Sequence, residues 1–130
     1  MRVNTYVLDK TIEASTNLSA YQWCFVKPTT GVGQSAQLAL HTGAAATNNV
    51  AFILQNKPAA QGHGGVIRVY GMSELCVDGT TPIVPGDPLK PKAGGLGTKC
   101  SAGDGYSAIA LEPSTAATDR IEVLCERGIL

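Results

Sequence analysis

The chain is short of charge, of aromatic rings and of long apolar runs. Charged residues make up 15% and aromatic residues 5% of its 130 positions, with a single Trp. Globular chains usually carry about 25% charged residues. Ten basic side chains balance ten acidic ones. A nucleic-acid-binding face needs a basic excess to displace counterions, so this balance argues against one. The longest run of large apolar residues, about Val50 to Leu54, is too short to span a membrane. Met1 to Tyr6 lacks the apolar core of a signal peptide, which points to synthesis and folding in a cytosol. There the four cysteines are expected as thiols.

Catalytic and metal-binding patterns are also lacking. Cys24, Cys76, Cys100 and Cys125 are separated by 52, 24 and 25 residues, with no C-x-x-C. Cys24, Cys76 and Cys125 read as small hydrophobes in or beside strands, and Cys100 as an exposed turn residue. His41 and His63 stand 22 residues apart in a stretch free of acids, with no second ligand at metal spacing. A nucleophile needs a base and a group to orient it, and none is apparent. Gly103 to Ala108 matches a dinucleotide-binding pattern, but a strand ending at Pro113 follows it where a helix is required. Lys90 and Lys92 sit in a Pro- and Gly-bracketed segment and read as solvated turn lysines rather than a carrier lysine. The expectation is therefore a non-enzyme with no catalytic residues, no cofactor and no metal.

What remains is strand and turn. No segment keeps an i, i+3, i+4, i+7 apolar pattern for three turns. Period-two or continuous apolar runs occur at Val3 to Val7, Tyr21 to Val26, Val50 to Leu54, Val66 to Tyr70, Ser107 to Leu111 and Arg120 to Cys125. In the last, Ile121, Val123 and Cys125 share one face, with Glu122 and Glu126 on the other. Tyr21 to Val26 is expected to stop at Lys27-Pro28, and Val50 to Leu54 to be covered on both faces. Asp78-Gly79 predicts a tight turn with a positive φ, and further turns fall at Pro85 to Pro88, Gly94 to Gly97 and Ala102 to Gly105. This predicts an all-β fold, a small barrel or sandwich over residues 21–130, with long Gly/Ala/Thr-rich loops at 29–49 and 56–65. Residues 1–20 hold few large apolar groups and read as an extended arm or, alternatively, as the first strand. Strand-forming pieces of this kind can add to another chain's sheet, which makes Val3, Tyr6, Leu8 and Ile12 the candidate contact residues. No carboxylate occurs between Glu13 and Glu74, and such an uncharged polar surface suits an interface.

The order of the segments is informative. Leu18-Ser19-Ala20-Tyr21, ending at Val26-Lys27, is followed by Asn49-Val50-Ala51-Phe52-Ile53-Leu54-Gln55-Asn56-Lys57-Pro58. Then come Val66 to Gly71, Gly86-Asp87-Pro88-Leu89-Lys90, Ala108-Ile109-Ala110-Leu111-Glu112 and Ile121 to Leu124. This succession, across roughly residues 15–127, resembles the capsid decoration (cement, or head-stabilisation) proteins of tailed bacteriophages. Ala51-Phe52, where members often carry Gly-Val, and the four cysteines depart from the pattern. The resemblance implies a structural virion protein, made in the host cytoplasm and bound to the outside of an icosahedral head. It implies the major capsid protein as partner, bridging of its subunits, and self-association as a homotrimer or, alternatively, a dimer. Neither nucleic acid nor membrane is an expected partner. Two rival readings are a carbohydrate-binding or adhesion barrel on a virion surface, against which the only tryptophan, Trp23, falls within a predicted strand, and a cysteine-dependent enzyme.

Overall fold

The computed structural model of the protein describes residues 7–31, 35–43 and 50–129. Among these, every regular element is a strand: β1 (Leu8–Glu13), β2 (Phe25–Thr30), β3 (Ala36–Leu40), β4 (Phe52–Leu54), β5 (Gly64–Val77), β6 (Pro88–Pro91), β7 (Gly97–Lys99), β8 (Gly105–Ala110) and β9 (Asp119–Ile129). They join into one nine-stranded sheet, which bears out the all-β expectation. The sheet is not a single closed barrel. Its pairings follow two partial rings that share the 14-residue strand β5.

The first ring runs β1–β5–β4–β2–β3 and returns from β3 to the end of β1 through the bridge Ala14↔Leu38. The second runs β5–β9–β8–β6–β7 and returns through the single pair Val77↔Gly97. Both closing bridges are parallel, whereas the other strand pairings are antiparallel.

Each ring has its own core. Ala14, Leu18, Val26, Leu38, Leu54 and Ile67 form the first. Phe25, Ala51, Ile53, Leu75, Val77, Ile83, Leu89 and the inward residues of β8 and β9 form the second. Successive strand residues point to opposite faces. On β2, Phe25 therefore enters the second core and Val26 the first; on β4, Ile53 and Leu54 divide the same way. The two short strands form a wall between the cores, which explains why 50–54 reads as doubly covered. At its start Val50 is nevertheless 45% exposed.

Several sequence-based boundaries shift. β2 runs through Pro28, because β4 pairs only with Phe25 and Val26 and leaves β2 a single neighbour beyond them. The stretch 29–49, expected to be a loop, contains β3. β5 continues past Tyr70 through Gly71, with Ser73, Leu75 and Val77 facing inward in the same alternation. Trp23 is in a turn rather than a strand, at φ 69°. The arm reading of residues 1–20 changes for the part described. β1 pairs with β5 from Leu8↔Tyr70 to Glu13↔Gly64, and Ala14 and Leu18 are buried in the first core. Main-chain bonds fasten this segment: Ser15 N–H to Leu38 O (2.8 Å), Leu18 N–H to Pro58 O (2.8 Å) and Ala14 N–H to His63 O (2.8 Å). It is the first strand of the protein's own sheet.

Candidate functional site

The residue types that can carry chemistry hold structural positions. Gly103-Asp104-Gly105 is a turn into β8, in which the Asp104 carboxylate accepts from Ser101 N–H (2.9 Å) and Lys90 Nζ (2.6 Å). Lys90, and then the Ser101 amide, hold that carboxyl below its ordinary value. Asp78 accepts from Thr80 N–H (3.0 Å), from the Thr80 hydroxyl (2.8 Å) and from Lys92. Those bonds, Lys92 first, draw its pKa to about 2. Lys90 and Lys92 are thus paired tethers between turns, not free turn lysines. Gly79 is required by closeness rather than by a positive φ, since a Cβ there would lie 2.4 Å from Ser114 Oγ. Cys100 is buried, not exposed, with Sγ 3.8 Å from Gly105 O. His41 is buried, and its Nδ1 accepts from Gly43 N–H (2.9 Å); burial and then Lys27 lower its pKa. His63 is in an exposed turn. Among the described residues no three His, Cys, Asp or Glu side chains gather to hold a metal.

The most distinctive surface is on the outer face of β5. Arg68, Tyr70, Met72 and Glu74 alternate outward from this strand. Directly opposed residues of antiparallel strands share a face. Leu8 on β1 opposes Tyr70, Met72 opposes Leu124 on β9, and Leu124 opposes Ile109 on β8. An apolar band of Leu8, Tyr70, Met72, Leu124 and Ile109 therefore crosses four strands. Leu8, Tyr70 and Met72 are 47%, 42% and 39% exposed. Charges at its ends are paired with each other: Arg68 with Asp9 through two bonds (2.8 and 2.9 Å), and Arg120 with Glu74 (3.5 Å). An irregularity between Leu8 and Asp9 sets both opposite the outward residues Tyr70 and Arg68. Beside the band, no second strand among those described pairs along the Leu8–Glu13 edge of β1. Such an edge offers main-chain donors and acceptors to an added strand.

Of the sequence-based contact candidates, Leu8 is in this band. Ile12 is partly buried against the first core. Val3 and Tyr6 lie outside the described residues. Tyr70, Met72 and Leu124 were not singled out from sequence; the signal was the i, i+2 pattern continuing through Gly71.

No protein-family model matches the chain, and no curated protein does. Among solved structures, the fold is similar to the crystal structure of the N base of head fiber gp8.5 in bacteriophage phi29. The TM-score is 0.61 at 18% identity, over 96% of this chain and 98% of that one.

Proposed function

We propose that this chain is a structural protein of a tailed-phage head, attached to the capsid exterior and stabilising it by bridging major capsid protein subunits. The observation that carries the reading is the fold shared along nearly the whole chain with the base of a phage head fiber. The ordered segments of the sequence point to the same kind of particle. The apolar band and the open β1 edge supply a contact surface, with Leu8 on both. The partners are the major capsid protein and further copies of the chain, as a homotrimer or alternatively a dimer. Weak contacts repeated on a symmetric lattice add to high avidity, so no single contact needs to be strong.

Purified protein mixed with expanded, undecorated heads of the encoding phage should co-sediment to saturation at a fixed copy number per head. Met72→Glu and Leu8→Asp should reduce occupancy without unfolding the protein. Protein that stays in the supernatant at all head concentrations overturns the proposal.

A further inference from the structure

Cys24 and Cys76 lie beside each other in a way their 52-residue separation does not suggest. Cys76 is half-buried on the outer face of β5, and Cys24 is buried. The main chain sets the two residues adjacent, and Cys76 Sγ lies 4.0 Å from the carbonyl of Gln22, two residues before Cys24. The backbone fixes the pair from both sides. Cys76 N–H donates to Trp23 O (2.8 Å), Trp23 N–H donates to Leu54 O (2.8 Å), and Leu54 N–H donates to Cys24 O (3.0 Å). Trp23 adopts a φ of 69°, a left-handed conformation that a bulky residue holds only when its surroundings impose it. That turn aims the Trp23 carbonyl at β5 and sets the next residue, Cys24, beside Cys76 in the main chain.

We propose that Cys24 and Cys76 form a dithiol modification site, oxidised to an intramolecular disulfide by low-molecular-weight disulfides such as glutathione disulfide. The Cys76 thiolate attacks one sulfur of glutathione disulfide. A mixed disulfide forms on Cys76, and one glutathione leaves as its thiolate. Cys24 then attacks the Cys76 sulfur, its proton passing to the second departing glutathione. Two protein thiols are oxidised, and one glutathione disulfide is reduced to two glutathiones. The division of labour follows from the environment. The neighbouring Cys24 thiol, followed by Arg120, draws the Cys76 pKa down to about 7 against burial and Glu74, whereas Cys24 is raised by the Cys76 thiol and by burial. An accessible thiolate attacks and the neighbouring thiol resolves. Burial pushes Cys100 and Cys125 up to about 11 and shields them.

The test uses the full folded chain incubated with glutathione disulfide, followed by intact mass and a non-reducing peptide map. The wild type should lose two hydrogens, link the Cys24 and Cys76 peptides, and raise its thermal midpoint by on the order of 10 °C, reversed by dithiothreitol. Cys24→Ser should stop at one glutathionyl adduct on Cys76, and Cys76→Ser should take up neither modification. Three results overturn the proposal: a stable mixed disulfide on the wild type without a cross-link, a map joining any other pair, or no reaction while the reduced protein is fully folded by circular dichroism.

Discussion

The two partial rings are fastened differently. In the first, the carboxylates stand only at the ends, Asp9 and Glu13 on β1, and none occurs from Ala14 to Ser73. Its N-terminal segment is fixed by main-chain bonds such as Ser15 N–H to Leu38 O, and its polar side chains are neutral donors such as Gln55 and Asn56. Around the second, aspartates organise the turns. Asp78, Asp87 and Asp104 each accept a backbone N–H and each pair with a lysine: Lys92, Lys99 and Lys90. The first ring holds one ion pair, Arg68 with Asp9 across β5 and β1, whereas three aspartate–lysine pairs tie the turns of the second. The second should respond more strongly to pH and salt than the first.

The largest test removes residues 1–14. This takes away β1 and Ala14, including the bridge that closes the first ring. The truncated chain should lose more than about 10 °C of thermal midpoint or fail to fold. A midpoint unchanged within a few degrees would show that the first ring does not need its first strand.

A pair of core substitutions asks whether the rings unfold separately. Phe25→Ala should cost about 3–5 kcal/mol and Leu38→Ala about 2–5 kcal/mol by urea titration. Hydrogen exchange on β8 and β9 should accelerate with Phe25→Ala, and on β1 and β3 with Leu38→Ala. Equal acceleration everywhere in both variants would make the molecule one cooperative unit despite its two cores.

Gly95 joins the halves. Its N–H donates to His41 O (3.1 Å) and its carbonyl accepts from Phe25 N–H (2.7 Å). It sits at φ +74°, where a Cβ would lie 2.9 Å from Phe25 O. Gly95→Ala should cost about 1–3 kcal/mol, read by thermal unfolding, with no loss of strand content.

The smallest effect is the one with acid. The Asp78 pKa is drawn from 3.8 to about 2 in the folded protein, so its contribution is complete above pH 3.8 and is lost as pH falls through about 2. Asp104 is shifted in the same direction. Below pH 3.8 the second ring should therefore lose amide protection before the first, and Asp78→Asn should flatten that part of the stability–pH curve.

How much of this was legible in the sequence follows the same division. In the second half, Asp-Gly turns and the alternation of Ile121, Val123 and Cys125 announce structure locally, and β8 and β9 appear where the pattern puts them. In the first half, the partners of Ala14 and Leu18 are distant main-chain groups, so a segment poor in large apolar residues reads as an arm although it is built in. Pro28 looks like a strand end because sequence does not show that β2 has lost one neighbour. Apart from Leu8, the apolar band was not legible for a related reason: Leu8, Tyr70, Met72 and Leu124 come from three strands and meet only through register.

The single parallel bridge in each ring is a matter of parity. A circuit of five strands in which four junctions are antiparallel returns with its last strand running the same way as its first. The fifth junction has no choice of direction. Parallel pairing is slightly less favourable per residue, and each circuit confines it to one pair. An odd circuit therefore carries a built-in seam whose location, but not whose existence, is open to change. A hairpin grafted into either ring adds two strands and keeps the seam; a single strand slipped in at Ala14–Leu38 or Val77–Gly97 makes the count even and lets that ring close antiparallel throughout.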